Sequence, residues 1–380
     1  MDLSFSNDQE MVRNMAKEFA TKELEPKAAE IDEKGEFPHD SIKKMAELGM
    51  LSMTIPEKYG GAEFDFLSLA IAIEEISRAC GSTGVITAVH NSLACWPIVN
   101  WGNDAQKDKY LPRMATGELL GAFGLTEPNA GSDPAAMEAT AVLKGDRYIL
   151  NGSKRFITNG GVAKVFIVFA KTDPAAGTRG ITAFIVDRDS KGFTLGKHEN
   201  LLGLRGTANC ELIFDDAEVP VANVLGQVGG GFKVALGTLD VSRIDIGAQA
   251  VGIAQAAMEK AIAYSKERKQ FGKPICEFEM IQAKLADMAC RTLASRLLVY
   301  YAAHQKDSGK TRFNQESAMC KLFAAETAVE VTRQAVQVYG GYGYTKDYPV
   351  ERYFRDAKCM EIYEGTSEVQ RIVIARSLLS

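Results

Sequence analysis

The feature that most constrains this chain is a double change of periodicity. Apolar residues recur at helical spacing up to about position 118, alternate or cluster as strands from there to about 230, and return to helical spacing to the end. In the first stretch Met11, Met15, Phe19 and Ala20 lie on one face of a helix over 9–23. Leu69, Ile71, Ile73 and Ile76 do the same over 68–79, with turns marked by Gly60, Gly61 and Gly81. In the second, TAVLKGDRYILNG reads as a hairpin turning at Gly145-Asp146. KVFIVFAKTD and GITAFIVDRD read as two strands around a Pro/Gly loop, and CELIFDDAEVP as another. In the third, Leu285, Met288, Ala289, Leu293, Leu297 and Tyr300 share a helix face, and a helix over 324–339 stops at Gly340-Gly341. Ala248, Ala250, Ala254, Ala256, Ala257 and Ala261 permit close helix–helix approach, as in a bundle. The expectation is a mainly α chain with a central β domain: helical domain 1–118, β domain 119–230, helical bundle 231–380.

Composition narrows the function classes. With 44 Lys+Arg against 49 Asp+Glu and a net charge of −5, the basic footprint of a nucleic-acid binder is missing, so no nucleic-acid partner is expected. The longest apolar run, VFIVFA, is strand-sized, far below the ~20 residues of a spanning helix, so no membrane partner is expected either. The N-terminus has no basic segment followed by an apolar one. A leaderless cytoplasmic protein is therefore expected, with a mature mitochondrial matrix form as the alternative. Seven scattered cysteines without a CxxC read as reduced thiols, and four scattered histidines give no metal site.

Five clusters carry the chemistry. FGLTEPNAGSD (123–133) puts backbone N–H groups and the Thr126 and Ser132 hydroxyls in a loop between helix and sheet, suited to a pyrophosphate or a flavin edge. It is neither a Rossmann nor a P-loop fingerprint, and taken alone it reads equally as a linker. NGSKRFITNGG (151–161) sets an aromatic beside small polar groups, which suits a planar ligand or an ordinary strand with a turn. RKQFGKP (268–274) is a phosphate clamp or a helix end favoured by the macrodipole. QVYGGYGY (337–344) has more glycine than one C-cap needs, so close approach of a ligand is the better account. EIYEGTSEVQR (361–371) places Glu364 before a glycine and ahead of a helix capped by Thr366-Ser367, with Val369, Ile372, Val373 and Leu378 as its apolar face; taken alone it reads first as a surface carboxylate before a helix cap.

Taken together, LTEPNAGSD, GSKRFITNG, LGLRGT, ERKQFGKPI, QVYGGYGYT and IYEGTSEVQRIVIA resemble the acyl-CoA dehydrogenase family over essentially the whole chain, the short-chain, butyryl-CoA type branch most of all. The resemblance implies an N-terminal helical domain, a middle β domain, a C-terminal four-helix bundle, FAD and a homotetramer. It implies that Glu364 removes the α-proton of an acyl-CoA thioester while the β-hydrogen leaves as hydride to flavin N5, giving a trans-2-enoyl-CoA. Electrons would pass to electron-transfer flavoprotein. Burial beside an apolar acyl chain should raise the Glu364 pKa.

The same resemblance assigns FAD contacts to Phe123, Leu125, Thr126, Ser132, Phe156, Ile157, Thr158, Arg268, Phe271, Glu279, Gln337, Val338, Gly340, Gly341, Thr366, Glu368 and Gln370, partly across a subunit boundary. Phe156 stands where the family often has Trp, and Glu279 where relatives commonly have Gln. CoA-ester contacts fall to Ser132, Asp240, Arg243 and Gly365. Members with their base on another helix carry it just before the residue matching Arg243. Here that residue is Ser242, which cannot serve as a base. Short or medium straight chains are expected, with small branched or alicyclic acyl groups as the alternative. An acyl-CoA oxidase and a non-catalytic acyl-CoA-binding module are the rival functions.

Overall fold

The computed structural model describes residues 4–379. Seven helices come first: α1 (Asn7–Phe19), α2 (Ala28–Lys34), α3 (His39–Glu47), α4 (Phe66–Ala79), α5 (Gly81–Ala88), α6 (Trp96–Trp101) and α7 (Asp104–Ala115). Reciprocal capping boxes start α1 (Ser6 with Gln9) and α7 (Asn103 with Gln106), satisfying backbone donors that a helix start otherwise leaves open. Two π-helical stretches, Ala20–Leu24 and Val89–Cys95, interrupt the α-helical path.

The middle of the chain forms one sheet from β1 (Gly121–Gly124), β2 (Thr140–Lys144), β3 (Arg147–Ile157), β4 (Val165–Lys171), β5 (Ile181–Asp187), β6 (Phe193–His198), β7 (Cys210–Pro220) and β8 (Val224–Leu225). The strand order is β6-β7-β3-β2-β4-β5-β8, with β1 parallel to β4. β4 and β5 are covered on both faces, which is why they read as unbroken apolar runs and not as alternation. Ile167, Phe169 and Ile185 pack with α6 and α7, while Phe166, Val168 and Phe184 pack with Tyr148, Leu150 and Leu212 on the other side. The hairpin, the β4–β5 pair and the β7 strand lie where the sequence put them. Strands β1, β6 and β8 are additions, too short or too polar to show by pattern alone.

Then follow α8 (Gly231–Glu267), a two-residue ribbon of β9 (Lys269–Gln270) and β10 (Lys273–Pro274), α9 (Glu279–Asp307), α10 (Asn314–Tyr339), α11 (Val350–Met360) and α12 (Ser367–Leu379). Helix α8 is the spine. Its residues 241–254 are all buried, against α4 and α5 on one side and α9 and α10 on the other. The alanines at 248, 250, 254, 256, 257 and 261 lie in that seam. At Gly252 a Cβ would come within 2.3 Å of the Glu74 carbonyl, so α4 and α8 are closer there than any side chain allows. The loop after β6 ties the β domain to the helices. Leu204 N donates to Asp356 Oδ1 on α11 (2.6 Å), and Gly206 N to Ser82 Oγ on α5 (3.2 Å).

The apolar row expected on α9 is only partly covered. Met288 is buried, but Leu293 and Leu297 are exposed, and the buried row is instead Met288, Thr292, Ser295, Val299, Ala302 and Ala303. Small residues face α8 because the helices are close, which leaves the larger leucines outside. The face of α12 behaves alike: Ile372 and Leu378 are exposed, and Val369 and Val373 half-buried.

Candidate functional site

Glu364 lies at the junction of α11 and α12, where the backbone leaves the helix. Glu364 has φ +52° and Gly365 φ +93°, two successive residues in the left-handed region. The positive φ is what favours glycine at 365, and a Cβ there would also approach Gln370 Nε2 to 2.7 Å and push that amide aside. Thr366 Oγ1 then accepts from Val369 N (3.3 Å) and starts α12. Three side chains brace this kink. Arg243 Nε (3.4 Å) and Gln370 Nε2 (3.2 Å) donate to the Glu364 carbonyl, and Gln370 Nε2 (2.8 Å) and Lys321 Nζ (2.7 Å) donate to the Gly365 carbonyl. The Glu364 carboxylate turns towards α8 and accepts from the Ser242 hydroxyl. Next to it, the Tyr363 hydroxyl donates to Gln249 Oε1, also on α8.

The electrostatics of this pocket are set by burial. Glu364 keeps a path to the outside, yet its carboxyl lies deep enough that burial pushes its pKa up to about 7, against the Ser242 hydrogen bond and the charges of Lys321 and Arg243. Lys321 is pushed down to about 8, chiefly by burial, with Glu364 opposing. Arg243 is held below its ordinary value by burial and raised by its partners, Asp240 (Nη1–Oδ1 2.8 Å) first. Burial also raises Asp240. A carboxyl poised near neutrality beside two cations is the arrangement a general base requires.

A second group lies on the β domain. Arg155 N donates to the Thr126 carbonyl (2.8 Å), which draws the 123–132 loop and the 156–158 segment together. Beneath them is a buried ion pair, Lys154 Nζ to Glu127 Oε1 at 2.6 Å, with Lys154 Nζ also donating to the Leu125 carbonyl (3.3 Å). The Glu127 carboxylate further accepts from Ala139 N (3.1 Å), so one buried carboxylate folds both ends of the loop. Phe156 has φ +60° and is 56% exposed; Ile157 is buried, and Phe123, Thr126 and Thr158 are half-buried. Leu125 is buried and Ser132 is exposed.

A third group gathers at the far end of α8. The Arg268 guanidinium lies over the Tyr342 ring (5.5 Å), and Tyr264 stacks on Tyr339 at 4.0 Å. Phe271 is 94% exposed at φ +52°, and Glu279, Gln337, Gly340 and Gly341 are exposed as well. Val338 points into the core, so only its backbone can reach a ligand. Asp240 and Arg268 are roughly 40 Å apart along α8 at about 1.5 Å per residue. Among the described residues no hydrogen bond or ring contact joins this third group to the other two.

The residues present fit a flavin dinucleotide. Phe156 offers an open aromatic face, and Thr126, Thr158 and Ser132 offer hydroxyls. A Cβ at Gly131, Gly340 or Gly341 would meet nothing within 4 Å, leaving room at the backbone. At the start of α12, beside Thr366 and the exposed Glu368, Gln370 Oε1 is buried without a partner. Ser242, Lys321, Gln249 and the Lys154–Glu127 pair join the site only in the folded structure. Lys321 carried a signal, a lysine within an otherwise small and apolar stretch of α10; the others show only once the helices are packed.

Three family models match the chain: "Acyl-CoA dehydrogenase, N-terminal domain" at residues 6–118, "middle domain" at 122–217 and "C-terminal domain" at 229–379. A short-chain specific acyl-CoA dehydrogenase of Clostridium acetobutylicum is 52% identical over 375 residues, covering 99% of each chain. The solved butyryl-CoA dehydrogenase of Megasphaera elsdenii superposes with a TM-score of 0.98 at 45% identity, covering 100% of each chain. A chain from a structure described as an electron transferring flavoprotein of Acidaminococcus fermentans, a study of flavin-based electron bifurcation, gives a TM-score of 0.98 at 50% identity, again covering 100% of each.

Proposed function

The chain belongs to the acyl-CoA dehydrogenase family, an oxidoreductase of short-chain type, and from that premise we propose that it oxidises a short- or medium-chain acyl-CoA at the α,β carbons, with FAD as cofactor and Glu364 as base. The observation that carries this reading is the Glu364 carboxyl at a braced kink, poised near pH 7 and aimed into the seam with α8. Glu364 takes the proton from the carbon next to the thioester carbonyl. The backbone N–H of Glu364, at the kink, would meet the thioester oxygen as enolate charge grows on it. Bound FAD supplies the acceptor for the hydride that leaves the β carbon, so the acyl chain loses two hydrogens and becomes the trans-2-enoyl thioester. Phe123, Leu125, Thr126, Ser132 and Phe156 to Thr158 would hold the flavin end. Arg243, Asp240, Ser132 and Gly365 would orient the CoA ester.

The separation of the third group from the base supports a homotetramer in which Arg268, Phe271, Glu279 and 337–341 serve a flavin held mainly by a neighbouring subunit. The uncovered leucines of α9 and α12 support it too. The likeness to a chain from an electron-transferring flavoprotein structure supports that class of protein as electron acceptor. No helix among the described residues is long and apolar enough to cross a membrane. Anaerobic titration of the purified protein with butyryl-CoA tests the proposal. Bleaching of a bound flavin and release of crotonyl-CoA are expected; a protein that binds no flavin, or whose flavin no acyl-CoA reduces, refutes it.

A further inference from the structure

Asp245 sits on α8 between two residues that reach one target. Ser242 donates to the Glu364 carboxylate, and Gln249 accepts from the Tyr363 hydroxyl while donating to the Gly81 carbonyl (2.9 Å). Residues i, i+3 and i+7 share a helix face, so the Asp245 side chain is aimed into the same space, between α8 and the Tyr363-Glu364 segment. Ser92, in the π-helical stretch after α5, closes the other side. Asp245 is wholly buried, and neither carboxyl oxygen has a hydrogen-bond partner. Ser92 is its near polar neighbour, but that hydroxyl gives its own hydrogen bond to the Ala88 carbonyl (2.8 Å).

The surroundings dictate the protonation state. The charged or titratable neighbours acting on Asp245 are Glu364 across the seam and Cys320 on α10, and neither is a cation. An isolated carboxylate in such a place is expensive, so burial holds the group as the neutral acid, well above its ordinary pKa. A neutral carboxyl carries an O–H donor; the Ser92 hydroxyl facing it can still accept, but the two do not meet in hydrogen-bond geometry, so the donor is left open. Within the fold alone the residue is a cost, since an apolar side chain would fill the seam without an orphaned pair of oxygens.

Resting on the acyl-CoA reading above, we propose that Asp245 is a specificity-determining residue that donates a hydrogen bond to an uncharged oxygen on the distal part of the acyl chain, so that the preferred substrate is an oxygen-bearing acyl-CoA and not a plain alkyl one. Three residues beyond Ser242, Asp245 lies about 4.5 Å further along the axis at about 1.5 Å per residue. That offset from the base corresponds to a hydroxyl or carbonyl oxygen on the fourth or fifth carbon. A distal carboxylate is disfavoured, because it would stand near the negative charge that Glu364 must carry to act.

The holoenzyme is tested with matched pairs, butyryl-CoA against 4-hydroxybutyryl-CoA and valeryl-CoA against 5-hydroxyvaleryl-CoA, reading kcat/KM and anaerobic flavin reduction. Wild type is expected to favour a hydroxylated member by at least about tenfold, and Asp245→Ala to reverse that ratio by a similar factor, since a site built to bond an oxygen rejects the analogue lacking it. Asp245→Asn, which keeps a donor and the size, should retain the wild-type direction and carries the test if Asp245→Ala does not fold. The proposal is overturned if wild type prefers plain chains, or if the ratio moves less than threefold in Asp245→Ala. A preference for 4-aminobutyryl-CoA over the hydroxy analogue also overturns it, by showing a cation site. If butyryl-CoA reduces the flavin while the ratios stay flat, only this inference fails; if no thioester reduces it, the catalytic reading fails with it.

Discussion

The Ser242 hydroxyl donates to the Glu364 carboxylate across the seam between α8 and the α11–α12 junction. This contact opposes the burial that raises Glu364. The serine cannot act as a base, but it stabilises the ionised form of the residue that can. If Glu364 is the base as proposed, the position before Arg243 serves it through hydrogen bonding, not proton abstraction.

Glu364→Gln is expected to keep size, packing and flavin while removing the basic oxygen. Acyl-CoA should still bind, and flavin reduction should fall by at least ~10²-fold, the lower end for loss of a positioned base. Stopped-flow reduction with binding followed separately is the check. A near wild-type rate would move the role to Asp240, or to an ionised Asp245, which would also overturn the inference drawn above for that residue.

The pH profile of kcat/KM should rise across neutrality with an apparent pKa near 7, because Glu364 acts ionised and its carboxyl is held at about 7 in the folded protein. In Ser242→Ala the ionised form loses its donor, so the midpoint should move to higher pH. A profile that is flat between pH 5 and 9 in wild type, or a downward shift in the variant, contradicts the assignment.

Lys154→Met removes one half of a buried ion pair and leaves the Glu127 carboxylate buried without its cation. The cost of such a break is about 3–5 kcal/mol. The variant should melt earlier and lose FAD on dilution, because the pair sits under the 123–139 loop. Thermal unfolding and the flavin content of the gel-filtered protein measure both effects. The double variant Lys154→Met/Glu127→Leu should recover part of the stability.

Light scattering of the FAD-loaded protein is expected to give a tetramer. Leu297→Glu places a charge on the exposed face of α9, away from the base, and should lower the mass and release flavin together. A stable FAD-loaded monomer would rule out the shared-subunit arrangement.

The fold was legible wherever burial leaves a periodic trace. The β4 and β5 runs and the alanine seam of α8 follow directly from residues packed on both sides. Glu364 was singled out by the resemblance of IYEGTSEVQRIVIA to the family; its residues alone gave only a carboxylate before a glycine, outside regular helix, and the structure puts both at positive φ. The braces were not legible. Lys321, Gln249 and Ser242 lie far from Glu364 in sequence and meet it only through helix packing, which single-sequence periodicity does not encode. On α9 the bulkiest apolar residues read as the inner face. The inner face is the smallest one, because close approach to α8 selects for small side chains.

The kink at Glu364 depends on the last helix of the described chain. Gln370, on the first turn of α12, holds two of its carbonyls, while most of that helix is poorly covered within one subunit. Helices with few buried contacts open first on warming. Where heat first loosens the contacts between subunits, it should therefore silence the enzyme before the subunit unfolds: fraying of α12 would withdraw Gln370, the left-handed turn would relax, and the base would swing out of register while the α8 spine remains folded. Activity half-life and melting temperature are thus separate properties of this molecule, and substitutions that secure α12 should lengthen the first without moving the second.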